Sequence, residues 1–157
     1  MEKVKKFKSK WSFKTAKAKW QKVVYTNNVY FLDTFKIGLT ANVCCGYDTT
    51  GDILIDIDLN VLKKNKKQHY LEIKDFICAD MFKLPLRYKS VDTIICDPPY
   101  SYYNQFMWVW NFRNYARKRI ILSAPTVNIR IDWEREIYAV STPGIFLRLW
   151  FIFTNKS

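Results

Sequence analysis

Short apolar runs separated by polar or charged segments recur along most of the chain. Runs of about four to six apolar residues, bounded by glycine, acids or proline, are typical of buried strands. Buried strands are predicted at ANVCCG (41–46), DILIDIDLN (52–60), FICAD (76–80), VDTIIC (91–96) and IILSAPTV (120–127).

Between these runs lie longer segments with the composition of helices. Helices are predicted at SFKTAKAKWQKVV (12–24), whose apolar face is thin, at LNVLKKNKKQHYL (59–71) and at NQFMWVWNFRNYARKR (104–119). Two β-rich runs, 134–142 and 146–155, flank Pro143 and Gly144 and predict an antiparallel pair. Alternating strands and helices followed by a hairpin predict an α/β three-layer sandwich with a mainly parallel sheet and a C-terminal antiparallel hairpin.

The link between the first two of these strands is short. Only GYDTTG (46–51) separates them, whereas a parallel crossover usually needs a dozen or more residues. Either the first crossover helix is reduced to a turn, or the two strands are not parallel neighbours.

Length and composition favour one domain. The chain has 157 residues, of which 49% are hydrophobic, enough for one continuous core. We expect a basic N-terminal arm at 1–28, part of it helical, and a single domain at 29–157. The apolar stretches fall short of the roughly 20 residues of a membrane span, and no signal peptide is visible, so a cytoplasmic protein without membrane contact is expected.

Positive charge is concentrated at the N-terminus. The formal net charge is +12, and residues 1–22 hold nine lysines against one acid. Lysines interleaved with aromatic residues suit a nucleic acid, because ammonium groups neutralise phosphates and rings stack on bases. The alternative is a solubilising arm whose tryptophans dock on the core. The predicted nucleic-acid-binding lysines are Lys5, Lys6, Lys8, Lys10, Lys14 and Lys17.

Cysteine and histidine usage argues against a metal site. The four cysteines form no C-x-x-C pair, and His69 is the only histidine. We expect no metal, and the cysteines are interpreted as small core residues.

Several predicted strands end on residues suited to binding a nucleoside. Ligands of open α/β sheets bind outside the carboxyl ends of the strands. Gly46 allows a close backbone approach, Asp56 can accept hydrogen bonds from ribose hydroxyls, and Asp80 can accept from an adenine amine. Asp58 is interpreted as the cap of the following helix, and Gly51 as a turn residue.

The fourth predicted strand ends in Asp97, Pro98, Pro99 and Tyr100. A residue before proline is held in extended conformation, so this segment is stiff. The Asp97 carboxylate and the Pro98 carbonyl offer two fixed acceptors for the N–H groups of an exocyclic amine. Such acceptors restore electron density to an otherwise poor nucleophile.

From about Asn42 onward the chain resembles the class I S-adenosylmethionine-dependent methyltransferases, and within them the amino-methyltransferases that carry D-P-P-Y. The resemblance rests on CCG, LIDID, CAD with LPL soon after, and VDTIICDPPY, in that order. It implies S-adenosylmethionine as the cofactor and Tyr100 stacking on the target base. The cofactor-binding residues that it implies are Cys44, Cys45, Gly46, Asp56, Asp80, Met81 and Phe82. The glycine loop departs from the family pattern, because Gly46 and Gly51 stand in place of G-x-G.

The predicted function is methylation of a base amine in nucleic acid, with N6 of adenine in DNA expected. N4 of cytosine or an RNA adenine is the close alternative, and a non-catalytic nucleic-acid-binding protein with this fold is the alternative of another class. A duplex target base would have to leave the stack. Tyr102 and Tyr103 would line its pocket, whereas the aromatic-rich helix after them packs on the sheet or on a second subunit, giving a homodimer.

Overall fold

A computed structural model describes residues 19–26, 28–69, 72–99, 107–124, 131–141 and 148–157. Within these ranges the chain forms eight strands and three helices. In chain order they are β1 Lys19–Tyr25, α1 Asn28–Phe35, β2 Thr40–Val43, β3 Ile53–Asp56, α2 Leu59–Gln68, β4 Asp75–Cys78, β5 Val91–Cys96, α3 Met107–Tyr115, β6 Ala116–Ser123, β7 Glu134–Ser141 and β8 Arg148–Thr154.

All eight strands belong to one sheet, in the order β1-β7-β8-β6-β5-β2-β3-β4. Strand β8 is antiparallel to both of its neighbours, β6 and β7, and every other pairing is parallel. The predicted mainly parallel sheet with a C-terminal antiparallel pair is therefore confirmed.

Alternate residues of the central strands build a core on each face of the sheet. Ile95 and Ile121 face α1, which contributes Phe31 and Leu32, and α2 packs on the same side through Leu62 against Leu54. On the opposite side, Ile94, Cys96, Ile120 and Leu122 form a cluster with Phe112 of α3. Helices on both faces make the three layers that the sequence predicts.

The link from β2 to β3 contains no helix. Residues 44–52 connect two strands that pair in parallel, with Asn42 opposite Leu54. Of the two alternatives drawn from the sequence, the crossover helix reduced to a turn is therefore correct. The buried Asn42 donates to the Thr50 carbonyl at 3.1 Å, and Asn65 of α2 donates to the Gly46 carbonyl at 2.8 Å. These side-chain amides satisfy loop carbonyls that a crossover helix would have bonded internally.

Two predicted helices differ from the structure. Residues 19–24, predicted as part of a helix, form β1, because the open edge of β7 supplies backbone partners that outweigh helix propensity. The helix predicted at 104–119 includes α3, but α3 ends at Tyr115. Strand β6 begins directly at Ala116, where Lys89 Nζ binds the carbonyls of Arg113 and Ala116.

The order of the strands fixes which ends lie together. Strand β1 runs parallel to β7, which in turn has the direction of the parallel core, so Lys19 lies at the amino-terminal end of the sheet. Arg148, at the start of the antiparallel β8, lies at the opposite end, where the parallel strands finish. None of the helices in the described ranges is long and apolar enough to span a membrane.

Candidate active site

A cavity of about 370 Å³ opens at the carboxyl ends of the parallel strands. Most of the predicted catalytic and cofactor-binding residues meet there although they come from four separate segments of the chain. The lining comprises Cys44, Gly46, Asp56, Ile57, Ala79, Asp80, Met81, Phe82, Asp97, Pro98, Pro99 and Arg148.

The glycine loop turns sharply at the cavity wall. Gly46 has φ +53°, and a Cβ placed there would meet no atom within 4 Å, so the space beside it is open to a ligand. Cys44 also lies in the left-handed region, with φ +54°. This left-handed turn takes the chain away from β2 without a helix and leaves the Gly46 backbone accessible from the cavity.

Asp56, at the end of β3, is fixed by the backbone on both of its oxygens. Oδ2 accepts from the Gly46 N–H at 2.8 Å and Oδ1 from the Asp58 N–H at 2.9 Å. Each carboxylate oxygen has a further acceptor direction, so the group can still bind the two hydroxyls of a ribose. Asp58 caps α2 by accepting from the Asn60 N–H at 2.8 Å, which confirms its predicted structural role.

The next wall begins after β4. Asp80 is exposed, and its Oδ1 accepts from the Phe82 N–H at 2.9 Å, which holds the turn. Met81 is buried, with its Sδ 3.4 Å from the Cys44 Sγ, whereas the ring of Phe82 is partly exposed. An exposed acid beside two apolar side chains offers an acceptor and a cover for a flat heterocycle.

The D-P-P segment forms the third wall. Cys96 is fully buried and anchors the end of β5, Asp97 is about one third exposed, Pro98 is buried and Pro99 is exposed. Arg148 NH1 donates to Asp97 Oδ2 in an ion pair between two side chains that are 51 residues apart in the chain. The carboxylate is thereby held at the cavity wall.

Arg148 was not predicted as a site residue. Its neighbours LWFIF are apolar, and Trp150, Phe151, Ile152 and Phe153 are all buried. A single cation at the start of such a strand is a usable signal, because an unpaired charge there is costly and requires an acid partner. The sequence does not reveal that this acid is Asp97.

The remaining predicted residues lie elsewhere. Cys45 does not line the cavity, since its buried side chain packs with Leu54 and Leu62 on the α2 side. Burial, followed by the nearby Asp56, raises the pKa of the Cys45 thiol to about 12, and burial raises the pKa of Cys96. Tyr100, Tyr102, Tyr103 and the lysines of residues 1–18 lie outside the described residues.

Electrostatically the cavity favours a cation. Its lining holds the carboxylates of Asp56, Asp80 and Asp97 and one guanidinium, that of Arg148. Acids that line a concave site raise the local concentration of positively charged ligands. A sulfonium compound fits this balance better than an anion does.

A second depression, of about 490 Å³, lies at the amino-terminal end of the sheet. It includes Lys89, which caps α3, and the ion pair between Arg113 and Asp132. Burial lowers the pKa of Lys89. Because these groups bind one another or a helix end, their arrangement has a structural explanation.

The described architecture is the class I methyltransferase fold. No family model and no curated protein matches the sequence. Many solved structures resemble the chain, and three of them illustrate the likeness. Magnesium protoporphyrin IX methyltransferase of Synechocystis with bound S-adenosylmethionine is 15% identical over 81% of this chain and 76% of its own, with TM-score 0.57. An S-adenosylmethionine-dependent methyltransferase of Aquifex aeolicus is 10% identical over 80% and 87%, with TM-score 0.56. A Haloferax volcanii protein in complex with the Trm112 methyltransferase activator is 10% identical over 80% and 86%, with TM-score 0.62.

Proposed function

We propose that the chain is an S-adenosylmethionine-dependent methyltransferase that acts on the exocyclic amine of a nucleic-acid base. The observation that carries this proposal is that Asp97 and Pro98 open into the same cavity as Gly46, Asp56 and Asp80. A nucleoside-binding half and an amine-binding half thus share one space, as a direct transfer requires.

The cofactor half has a residue for each part of S-adenosylmethionine. The open space beside Gly46 would take the methionine end, the fixed Asp56 carboxylate would bind the ribose, and Asp80 with Met81 and Phe82 would hold the adenine. Cys44 lines the same wall. The bound cofactor supplies an electrophilic methyl on a sulfonium sulfur, and the acidic lining favours that positive charge.

The acceptor half explains how a weak nucleophile reacts. The lone pair of an adenine or cytosine amine is delocalised into the ring, and acceptors aimed at its N–H groups localise it again. The Asp97 carboxylate and the Pro98 carbonyl would serve as these acceptors, on a backbone stiffened by Pro98 and Pro99. A nitrogen–methyl bond forms as the sulfur–methyl bond breaks, and the ammonium proton passes to Asp97 or to water.

The expected substrate is N6 of adenine in DNA, and N4 of cytosine or an RNA adenine is the alternative. The basic arm supports a polyanionic partner, because its residues 1–18 carry seven lysines ahead of β1. Tyr100 would stack on the target base, with Tyr102 and Tyr103 beside it. A homodimer through α3 is a further prediction, supported by Trp110, which is 45% exposed.

A second function draws support from the link between β2 and β3. Its nine residues, 44–52, replace the usual crossover helix beside the cofactor site. If this short link does not hold the cofactor, the chain keeps the fold and the basic arm and acts as a non-catalytic nucleic-acid-binding protein.

Two measurements separate these functions. A calorimetric titration with S-adenosylmethionine should show saturable binding. Absence of binding at millimolar cofactor would exclude the enzymatic function. Tritiated methyl transfer to DNA, RNA and homopolymers should then label one base. Labelling of none of them by a protein that binds the cofactor would exclude a nucleic-acid base as the acceptor.

A further inference from the structure

The Asp97–Arg148 pair presents both an acceptor and donors to the cavity. One N–H of Arg148 NH1 donates to Asp97 Oδ2, and both side chains are about one third exposed. Within the described part of the chain, the other guanidinium N–H groups have no hydrogen-bond partner, and neither does Asp97 Oδ1. A guanidinium carries five N–H donors in a rigid planar fork.

This arrangement is complementary to one kind of base edge. In adenine and cytosine the amine is next to an unprotonated ring nitrogen on the pairing edge, so a donor group and an acceptor stand side by side. With the amine on Asp97, the adjacent acceptor would face Arg148. Guanine places a ring N–H beside its amine on that edge, which would oppose the Arg148 donors, and thymine has no amine.

We propose that Arg148 is a specificity-determining residue that donates a hydrogen bond to the ring nitrogen next to the methylated amine. The inference rests on the proposed function and names the substrate edge which that same site reads. Arg148 thereby selects adenine or cytosine against guanine and aligns the amine with Asp97. Its ion pair with Asp97 holds the guanidinium beside the carboxylate that would bind the amine.

The test replaces the ring nitrogen instead of relying on loss of activity. Single-stranded oligonucleotides carry one target base, either adenine or 1-deazaadenine, in which N1 is a C–H group, and a second set carries cytosine or 3-deazacytosine. Methyl transfer is measured as kcat/KM for the wild type and for Arg148→Met. Arg117→Met is the matched control, because Arg117 pairs with Asp92 at the other end of β5, with NH2 3.0 Å from Oδ2.

We expect the wild type and Arg117→Met to prefer the natural base about 10- to 100-fold, the range of a hydrogen bond to a charged group. Arg148→Met should be slower on the natural base and should lose most of that preference. The deaza substitution also changes the reactivity of the amine, but equally for all enzymes, so the ratio between variants isolates the hydrogen bond. A structural role for Arg148 would lower all rates and leave the preference intact.

Three results decide the matter. An unchanged preference in Arg148→Met overturns the proposal, as does guanine methylation by the wild type at a rate similar to adenine. Labelling of no base by a wild type that binds S-adenosylmethionine would instead remove the proposed function, and the role of Arg148 with it. Should Arg148→Met melt far below the wild type, Arg148→Leu, whose apolar side chain likewise has no N–H donor, provides the same comparison at a temperature below its own melting point.

Discussion

The Asn65 side chain donates a 2.8 Å hydrogen bond to the Gly46 carbonyl, joining the middle of α2 to the turn at the cavity wall. Asn65 is fully buried, and no other described side chain ties α2 to that carbonyl. The position of the Gly46 backbone, and hence the shape of the proposed cofactor half, therefore depends on a residue that does not line the cavity.

Replacing Asn65 should weaken cofactor binding indirectly. Asn65→Ala leaves the Gly46 carbonyl with only the weak Cys45 thiol contact, at 3.6 Å. We expect a loss of about 1–3 kcal/mol in stability and a several-fold weaker affinity for S-adenosylmethionine. Calorimetric titration and thermal melting measure the two effects. The control is Asn60→Ala on the same helix, where the side chain is exposed. Equal affinity in both variants would show that the loop keeps its shape without Asn65.

Asp97 should matter for transfer and little for cofactor binding. Asp97→Ala removes an acceptor for the substrate amine, and we expect kcat to fall at least 100-fold while the dissociation constant of S-adenosylmethionine changes less than about threefold. Single-turnover methyl transfer and cofactor titration give the two numbers. Asp58→Ala, which removes only the α2 cap, is the comparison. Full activity in Asp97→Ala would refute the mechanism.

Thiol labelling should report occupation of the cavity. Cys78 is exposed and Cys44 is partly exposed at the cavity wall, whereas Cys45 and Cys96 are buried with raised pKa values. At pH 8 we expect iodoacetamide to modify Cys78 and Cys44 and to spare the other two. Saturating S-adenosylhomocysteine should slow labelling of Cys44 about tenfold, with Cys78 as the internal reference. The assignment of the cofactor half fails if Cys44 reacts equally fast with and without this ligand.

The limits of β1 define how the basic arm should be tested. Deleting residues 1–18 removes seven lysines and leaves β1 intact. We expect nucleic-acid binding to weaken and its logarithmic dependence on salt to become shallower by about 0.9 for each phosphate that the arm no longer neutralises. Deletion through residue 25 also removes the edge strand and should lower the melting temperature. An unchanged salt slope after the shorter deletion would support the solubilising role of the arm.

The carboxylate of Asp92 should make stability depend on pH. Hydrogen bonding from Arg117, with further contributions from Leu39 and Lys118, lowers the pKa of Asp92. A lowered folded-state pKa means that the stabilisation is present above the unfolded value, about 3.9, and is lost as pH falls through the folded value. Urea unfolding should therefore show Asp92→Asn less stable than the wild type at pH 7, with the difference shrinking below pH 4. A difference that is constant from pH 7 to pH 3 would contradict the ionic contribution.

The parallel core could be predicted because each of its strands is a buried apolar run that ends on a distinct residue. β5 is buried at all six positions, so its sequence alone indicates a central strand. The motif that follows therefore had to lie at the end of the sheet where the parallel strands finish. The same reasoning placed Asp56 and Asp80 at the same end of the sheet, although nothing in the sequence showed that the Gly46 N–H would bind Asp56.

Elements decided by tertiary contacts could not be predicted. Whether residues 19–25 form a helix or a strand depends on the open edge of β7, more than 100 residues later in the chain. Likewise α3 gives way to β6 without a loop, and Lys89 bridges the junction by binding the carbonyls of Arg113 in α3 and Ala116 in β6. The ion pair of Arg148 with Asp97 depends on β8 running antiparallel to β6, and hydrophobic periodicity is silent on which strands pair.

The position of β8 inside the sheet also sets an order of assembly. β8 is the last strand in chain order, yet it lies between β6 and β7, so β7 and β1 reach the parallel core only through it. A nascent chain that contains only β1 to β7 can form the parallel part of the sheet, from β4 across to β6. Without β8, however, β7 and β1 cannot join that sheet, and Asp97 lacks its Arg148 partner. Such long-range pairing slows folding. The cavity is therefore completed only when Arg148 and the residues after it have left the ribosome.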